Sequence, residues 1–302
     1  MALQSSGQIS LSDIANEQEI ALSNVSLRSM SSTAGFTTPD SVSEFYGYAY
    51  KYYWDLSNDI KWDTATDKPL QSNTESLSVS LWIRPQWAAT DLNLIIFDLT
   101  PSGTTSTANR FFLQYDYGLN AFVARYRSSS TNFTRRWALH SNNDATGTGK
   151  SSTDYWTSSN RGDTNSDGFI HLFLVYEASQ SSPTDAFRLY WNATELTTTL
   201  SSDSGTRSNM TLDELTFCGN DHNTAGSRIA DYMFMHMWDD ITDIGEISTM
   251  YNSGSPISAD DAGYNTNLIF GDRSNSVPSV NDSDDSGNYQ FAAANGQSVV
   301  AL

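Results

Sequence analysis

The chain has 302 residues, 38% of them hydrophobic and 12% aromatic, enough for one large core with terminal extensions or for two small domains. Its 35 acidic residues against 16 basic ones leave a formal net charge of -19. That field repels phosphate backbones and anionic headgroups, which argues against nucleic-acid and membrane-surface partners. A lone cysteine, Cys218, excludes an internal disulfide framework, and no apolar window reaches the roughly 18 residues that a bilayer span needs.

The opening MALQSSGQIS has neither a basic n-region nor an apolar run, so no secretory leader is expected. Residues 1-50 set short amphipathic pieces between Ser/Thr/Asn clusters. Ser12-Asp13 before Ile14-Ala15, and Asp40-Ser41 before Val42-Ser43-Glu44-Phe45, predict helix starts. The apolar positions Ile9, Leu11, Ile14, Val25, Leu27, Phe45 and Tyr46 are too few for a core of their own. They are expected to pack against the main domain or another subunit.

Residues 74-252 read as a train of strands. Leu77, Val79, Leu81 and Ile83 alternate with Ser78, Ser80 and Trp82, and Pro85 stops the run. Further strands are predicted at 94-97, 110-115, 121-126, 186-191, 212-217 and 229-238. Residues 169-176 are nearly continuous in apolar side chains, as where both faces of a strand are covered. Turn-rich gaps fall at 127-168 and 197-211. One helix is expected, where Asp243 and Glu246 make a capping-box spacing ahead of Ile247, Met250 and Tyr251. The pattern predicts an all-β sandwich whose core includes Leu77, Val79, Leu81, Phe173, Val175, Leu189 and Met235. Residues 255-302 are poor in hydrophobics and carry the acidic run Asn281-Asp282-Ser283-Asp284-Asp285. They read as an extension that wraps or contacts neighbours, with disorder as the competing reading.

Four segments resemble the laminin-G-like, concanavalin-type lectin/glucanase superfamily: SLSVSLWIRP (76-85), DGFIHLFLVYE (167-177), FRLYWNATEL (187-196) and SRIADYMFMHMWDDITDIGEISTMYNSG (227-254). The last is the most specific. The third resembles a hairpin that carries Leu-Tyr-x-Asn-Gly in relatives, with Ala193 standing here in place of that glycine. The resemblance implies a concanavalin A-like jelly-roll sandwich over 51-254, between an N-terminal assembly segment (1-50) and a C-terminal extension (255-302). The pieces SGQISLSDI (6-14), IALSNVSLRSM (20-30) and PDSVSEFYGY (39-48), with NLIFGDRSNS (267-276) and DDSGN (284-288), resemble segments of marine and environmental phage virion proteins. Phe270-Gly271-Asp272 departs from the tryptophan-rich stretch usual there. This second resemblance implies a structural component of a tailed-phage particle, in a tail, fibre, neck or head decoration. Its partners would be other virion proteins and copies of itself. It would sit in a virion assembled in the host cytoplasm and display the sandwich for attachment to host-surface glycans. The alternatives are a carbohydrate-binding module and, last, a divergent glycan-cleaving enzyme.

Asp163-Thr164-Asn165-Ser166-Asp167-Gly168, followed by Ile170, copies much of an EF-hand loop, making Asp163, Asn165 and Asp167 candidate metal ligands. Leu174 stands where the bidentate Glu belongs, so a polar turn before a strand is the competing and commoner reading. No cofactor is required on either reading, and Ca2+ is the ion the loop admits. Asn220, Asp221 and Asn223 form a second candidate, because the lectin resemblance implies carboxylates and amides at the sandwich rim that bind Ca2+ and sugar. Trp137, Tyr155 and Trp156 are candidates for a sugar-stacking platform, set against plain packing, which tryptophan burial favours. Gly147-Thr148-Gly149-Lys150-Ser151 lacks the first glycine of a phosphate loop. The glucanase string Glu-x-Asp-x-x-Glu is absent, as are a Gly-x-Ser-x-Gly elbow and a metal spacing among His140, His171, His222 and His236. No enzymatic activity is therefore expected, and His171 and His236, in strands, are expected to be packed.

Overall fold

The computed structural model describes residues 7-17, 26-33, 41-45, 52-56, 60-64, 72-86, 93-101, 108-139, 156-157, 164-165, 168-212, 214-217, 230-238, 244-254, 268-270, 291-293 and 298-301. The chain divides into two compact units, Met1–Tyr52 with Ala301–Leu302, and Tyr53–Val300.

The small unit holds α1 (Leu11–Glu17), α2 (Leu27–Thr33) and a 3-10 turn, Val42–Phe45. Each starts on a serine that caps it. Ser10 N–H donates to Asp13 Oδ2 at 2.7 Å while Asp13 N–H donates back to Ser10 Oγ at 3.1 Å. Ser26 and Ser29 exchange the same pair of bonds at 3.1 Å each. Ser41 N–H reaches Glu44 Oε2 at 3.2 Å. The first two are reciprocal capping boxes, which satisfy the orphan donors of a short helix; at the third, Ser41 Oγ accepts from Ser43 N–H at 3.2 Å. The first cap is therefore Ser10 and not Ser12-Asp13, whereas Ser41 caps where the sequence placed it. The hydrogen bonds from Ser10 also hold the Asp13 carboxyl below the usual carboxylate range. Ile9, Ile14, Ala15, Met30 and Phe45 converge in one buried cluster, with Leu27 and Val42 against it. The expectation that these side chains lack a cluster of their own is corrected, because three capped turns bring them together. Leu11 remains 44% exposed, and Val25 and Tyr46 lie outside the described residues.

The larger unit holds the strands β1 (Tyr52–Leu56), β2 (Ile60–Thr64), β3 (Leu77–Pro85), β4 (Asn93–Thr100), β5 (Arg110–Asp116), β6 (Ala121–Ser128), β7 (Thr131–Ala138) and β8 (Ile170–Tyr176). The short helix α3 (Pro183–Ala186) precedes β9 (Phe187–Trp191), β10 (Thr194–Glu195), β11 (Thr199–Ser204), β12 (Glu214–Phe217) and β13 (Ala230–Trp238). After α4 (Ile244–Tyr251) come β14 (Leu268–Phe270), β15 (Phe291–Ala293) and β16 (Ser298–Ala301). The first sheet runs β10-β9-β8-β3-β13-β1-β16, with β14 also on β13; the second runs β11-β7-β6-β5-β4-β12-β2-β15. The zone read as a C-terminal extension thus supplies three strands to the two sheets.

The sheets face each other across one core. From the first come Leu77, Val79, Leu81, Ile83, Ile170, Leu172, Leu174, Tyr176 and Leu189; from the second come Leu94, Phe97, Phe111, Leu113, Phe122, Tyr126 and Trp137. The period of two puts every other residue there. Of the intervening residues, Ser78, Ser80, Trp82, His171, Phe173 and Val175 are buried as well, and α4 packs on this side of the sheet. Phe173, Val175 and Tyr190 form a second cluster with Ile247 and Met250. Phe173 and Val175 are therefore buried as expected, but on the helix side of the sheet. Met235 lies in a strand described by its backbone alone. Helix α4 begins one residue after Asp243, where the capping-box spacing predicts it. Beneath its end, Trp82 and Tyr251 stack at 5.9 Å and His171 donates to or accepts from Ser80 Oγ at 2.8 Å.

The hairpin from β9 to β10 turns through Asn192 and Ala193, both left-handed at φ 48 and 61. Asn192 accepts the His171 N–H on its Oδ1 at 2.9 Å. Ala193 occupies a conformation in which glycine avoids a Cβ penalty.

Candidate functional site

The proposed sugar platform does not form as an exposed surface from the two tryptophans that the structure describes. Trp137 lies near the end of β7 and is 0% exposed, with the Arg135 guanidinium 5.1 Å from its ring. Trp156 is 3% exposed and sits edge-on to Tyr115, Phe122 and Trp191 at 5.6, 5.2 and 5.7 Å. Its backbone N–H donates to Tyr115 Oη at 3.1 Å, and that hydroxyl donates to Asn120 Oδ1 at 2.8 Å. Both rings belong to the buried core of the sandwich, which corrects their reading as a platform. Tyr155 lies outside the described residues, as do Asn220, Asp221 and Asn223.

Of the loop carboxylates and amides considered for Ca2+, Asp163 and Asp167 lie outside the described residues and Asn165 within them. Asn165 Oδ1 accepts the Phe169 N–H at 2.9 Å, and Asn165 N–H donates to Phe169 O at 2.9 Å. Gly168, at φ 82, completes that turn into β8. This side chain holds the turn, as Asx side chains do. Among the described residues no group of three His, Cys, Asp or Glu is placed to hold a metal.

His171 is fully buried, and desolvation pushes its imidazole down to about 3. It is a neutral, packed ring, in line with the sequence expectation; His236 lies in a strand described by its backbone alone.

The polar chemistry that the sequence reading missed lies on the face of the second sheet turned away from the core. The strand register sets Arg110 opposite Arg127, Phe112 opposite Arg125, and Val123 opposite Arg136. Phe112 packs with Ile95 and Val123, and the Arg110 and Arg125 guanidiniums lie 4.5 and 5.2 Å from its ring centre. Arg110 pairs with Asp98 through two hydrogen bonds, the closer at 2.5 Å, and Arg136 pairs with Asp203 at 3.0 Å. Arg125 donates Nε–H to Thr134 Oγ1 at 3.1 Å. Burial first, then repulsion from Arg136, lowers its guanidinium to about 10; the Asp203 carboxylate opposes this, and Arg110 and Arg127 add weaker repulsion. A signal for this face exists in the sequence. Residues 110-136 hold five of the 16 basic residues and a single acid, Asp116, in a chain of net charge -19.

No family model matches the chain, and no curated protein matches it. Solved structures do. A native heptameric SAP-like pentraxin from Limulus polyphemus aligns at 10% identity and TM-score 0.45, over 83% of this chain and 94% of that one. The botulinum neurotoxin serotype C1 binding domain aligns at 12% and 0.40, over 69% of this chain and 48% of that one. The Ruminococcus gnavus IT-sialidase CBM40 bound to alpha2,3 sialyllactose aligns at 8% and 0.38, over 63% and 97%. At such scores and identities the likenesses carry no argument about ligand or role. What the two facing antiparallel sheets establish by themselves is the fold class, an all-β sandwich.

Proposed function

We propose that this chain is a non-enzymatic structural component of a phage particle, its small N-terminal unit serving assembly and its sandwich displayed for attachment. One observation carries the reading. The three N-terminal pieces that resemble phage virion segments each contain one serine-capped helical turn, and their apolar residues meet in a single cluster. The motif thus behaves as a structural unit and not as scattered sequence. The same reading takes Asp98, the buried acid on the second sheet, as a partner of Arg110 and not as a catalytic acid. Attachment to a host glycan is the use we assign to the displayed sandwich, and Ca2+ is an optional ligand on this reading.

The test is mass spectrometry and antibody labelling of purified particles from the source of the sequence. The chain should copurify at constant stoichiometry, and deletion of residues 1-45 should give a soluble sandwich that no longer incorporates. Absence from washed particles, or normal incorporation of the truncated chain, would overturn the assignment.

A further inference from the structure

We infer that α4 is an acid-released latch, seated over His171 while that ring is neutral and shed from the sheet when the ring takes a proton. The device is independent of the proposed particle role. His171 lies on β8 opposite Trp82 of β3, both buried, with their rings 5.0 Å apart. The Tyr251 ring, at the end of α4, stacks on both, 6.0 Å from His171 and 5.9 Å from Trp82. Ile247 and Met250 are the buried side chains through which α4 meets Phe173, Val175 and Tyr190. Eight residues are too few for a helix to persist alone in water, so α4 depends on that seat.

The seat makes no provision for a charge. Ser80 Oγ lies 2.8 Å from His171 Nε2, whereas His171 Nδ1, like Trp82 Nε1, is buried without a partner among the described residues. A neutral imidazole carries one N–H, but the imidazolium carries two, and the second would be buried with nothing to accept it. Asn192 Oδ1, from the turn after β9, is already taken by the His171 backbone N–H. The charged groups of the surrounding elements are Arg84 on β3, 4.6 Å over the Phe169 ring, Arg188 on β9 and Glu246 on α4. In β13, Asp231 stands opposite Arg84 in the register and His236 opposite Ser80. Burial, with no charge beside it, holds the imidazole down at about 3.

Lifting α4 puts the ring in water, where its ordinary pKa of about 6.5 returns. Below that pH the released state binds a proton that the seated state does not, so release gains about tenfold per unit. β8 keeps its ladders to β3 and β9, which do not involve α4, and opening one small element costs less than unfolding the whole. Hydrogen–deuterium exchange of the full chain tests this, read at residues 244-251 and at β5 and β6. After correction for intrinsic rates, protection of α4 should fall on the order of a hundredfold between about pH 7.5 and about pH 4.5, while β5 and β6 keep theirs. H171Q should lack this fall, and H236Q should behave as the wild type. H171F keeps a ring under Tyr251 and replaces H171Q if the glutamine variant does not fold.

Equal falls in the wild type and a folded His171 variant overturn the inference. So does loss of protection in β5 and β6 in step with α4, the mark of global unfolding, or a fall that H236Q abolishes. Helix amides already unprotected at about pH 7.5 would show that nothing is latched at neutral pH. A His171 ring that titrates near its ordinary value of about 6.5 by NMR, with α4 still protected, would show that water reaches it past the helix. If neither His171 variant folds, the contrast between α4 and the strands in the wild type, with that ring titration, decides the matter.

Discussion

Replacing Trp156 by alanine separates a packed ring from a platform for sugars. The side chain is 3% exposed and touches three other aromatic rings edge-on. A buried aromatic of this size withdraws about 150–250 Å² from water. At about 25 cal/mol per Å² this is roughly 4–6 kcal/mol. The figure is an upper bound, since the unfolded chain already hides part of that surface. The edge-on contacts add about 0.5–1.5 kcal/mol each, and relaxation of residues 156-157 into the space recovers some of the loss. Measured truncations of buried aromatics give about 3–5 kcal/mol, which we take as the expected cost. For a domain of this size each kcal/mol moves the midpoint by about 2–4 °C, so the melt should fall by about 6–20 °C. Calorimetry, with near-UV circular dichroism to follow the aromatic cluster, makes the measurement. A midpoint shifted by less than about 2 °C, accompanied by loss of retention on a glycan column, would refute the packing argument and restore the platform.

Phe173→Ala should cost about 3–5 kcal/mol, and combining it with Met250→Ala should cost less than the sum, because both belong to the one cluster between α4 and the sheet. Strict additivity in urea midpoints would mean that the helix is not seated on that ring. Asp98→Ala strands the buried Arg110 and should cost about 3–5 kcal/mol, whereas D98A with R110M should recover most of it; equal melts for the two variants would contradict this. His171 has its folded pKa lowered to about 3, so only the unfolded chain takes up a proton as pH falls through about 6.5. Stability is therefore full above that pH and declines toward 3 by about 1.4 kcal/mol per unit, more steeply than in His171→Gln. Parallel slopes for the two proteins in chemical denaturation would count against a neutral buried ring. Ala193→Gly should raise stability by about 1 kcal/mol by relieving the Cβ at φ 61, and a lower midpoint would show that the methyl's packing outweighs that strain.

The strands that announce themselves in the sequence are those with apolar residues at alternate positions, such as Leu77 to Ile83, or in unbroken runs, such as Ile170 to Tyr176. β7 was hidden by Arg135-Arg136, which looks like loop. Arg135 nevertheless turns inward and donates from Nη1 to the carbonyls of Thr184 and Phe187, so a charge occupies a position the pattern assigns to a hydrophobe. Ser78 and Ser80 alternate with the core residues of β3, yet both are 0% exposed. A sequence shows that α4 exists but not which side of which sheet it covers. The same ambiguity moved Phe173 and Val175 from one core to the other. For the site, Trp137 and Trp156 illustrate the limit most directly, since a ring suited to stacking on sugar is equally suited to stacking on Tyr115 or Phe122. The arginine face was legible as local composition but not as a surface, because only strand register brings arginines of three successive strands onto one face.

The order of strands within the sheets also dictates the order in which the molecule can be made. β4, β5, β6 and β7 are successive in the chain and adjacent in space, so residues 93-138 can zip up as local hairpins soon after synthesis. In the first sheet only β8, β9 and β10 are successive neighbours of this kind. β3 pairs with β8 on one side and with β13 on the other, and β13 ends at Trp238. Closing loops of that length is slow, and folding rates fall as contacts become more distant in sequence. A growing chain therefore carries the formed meander with its aromatic inner face uncovered at least until β8, which ends at Tyr176, has emerged to pair with β3. During that interval the protein is at its most vulnerable to aggregation.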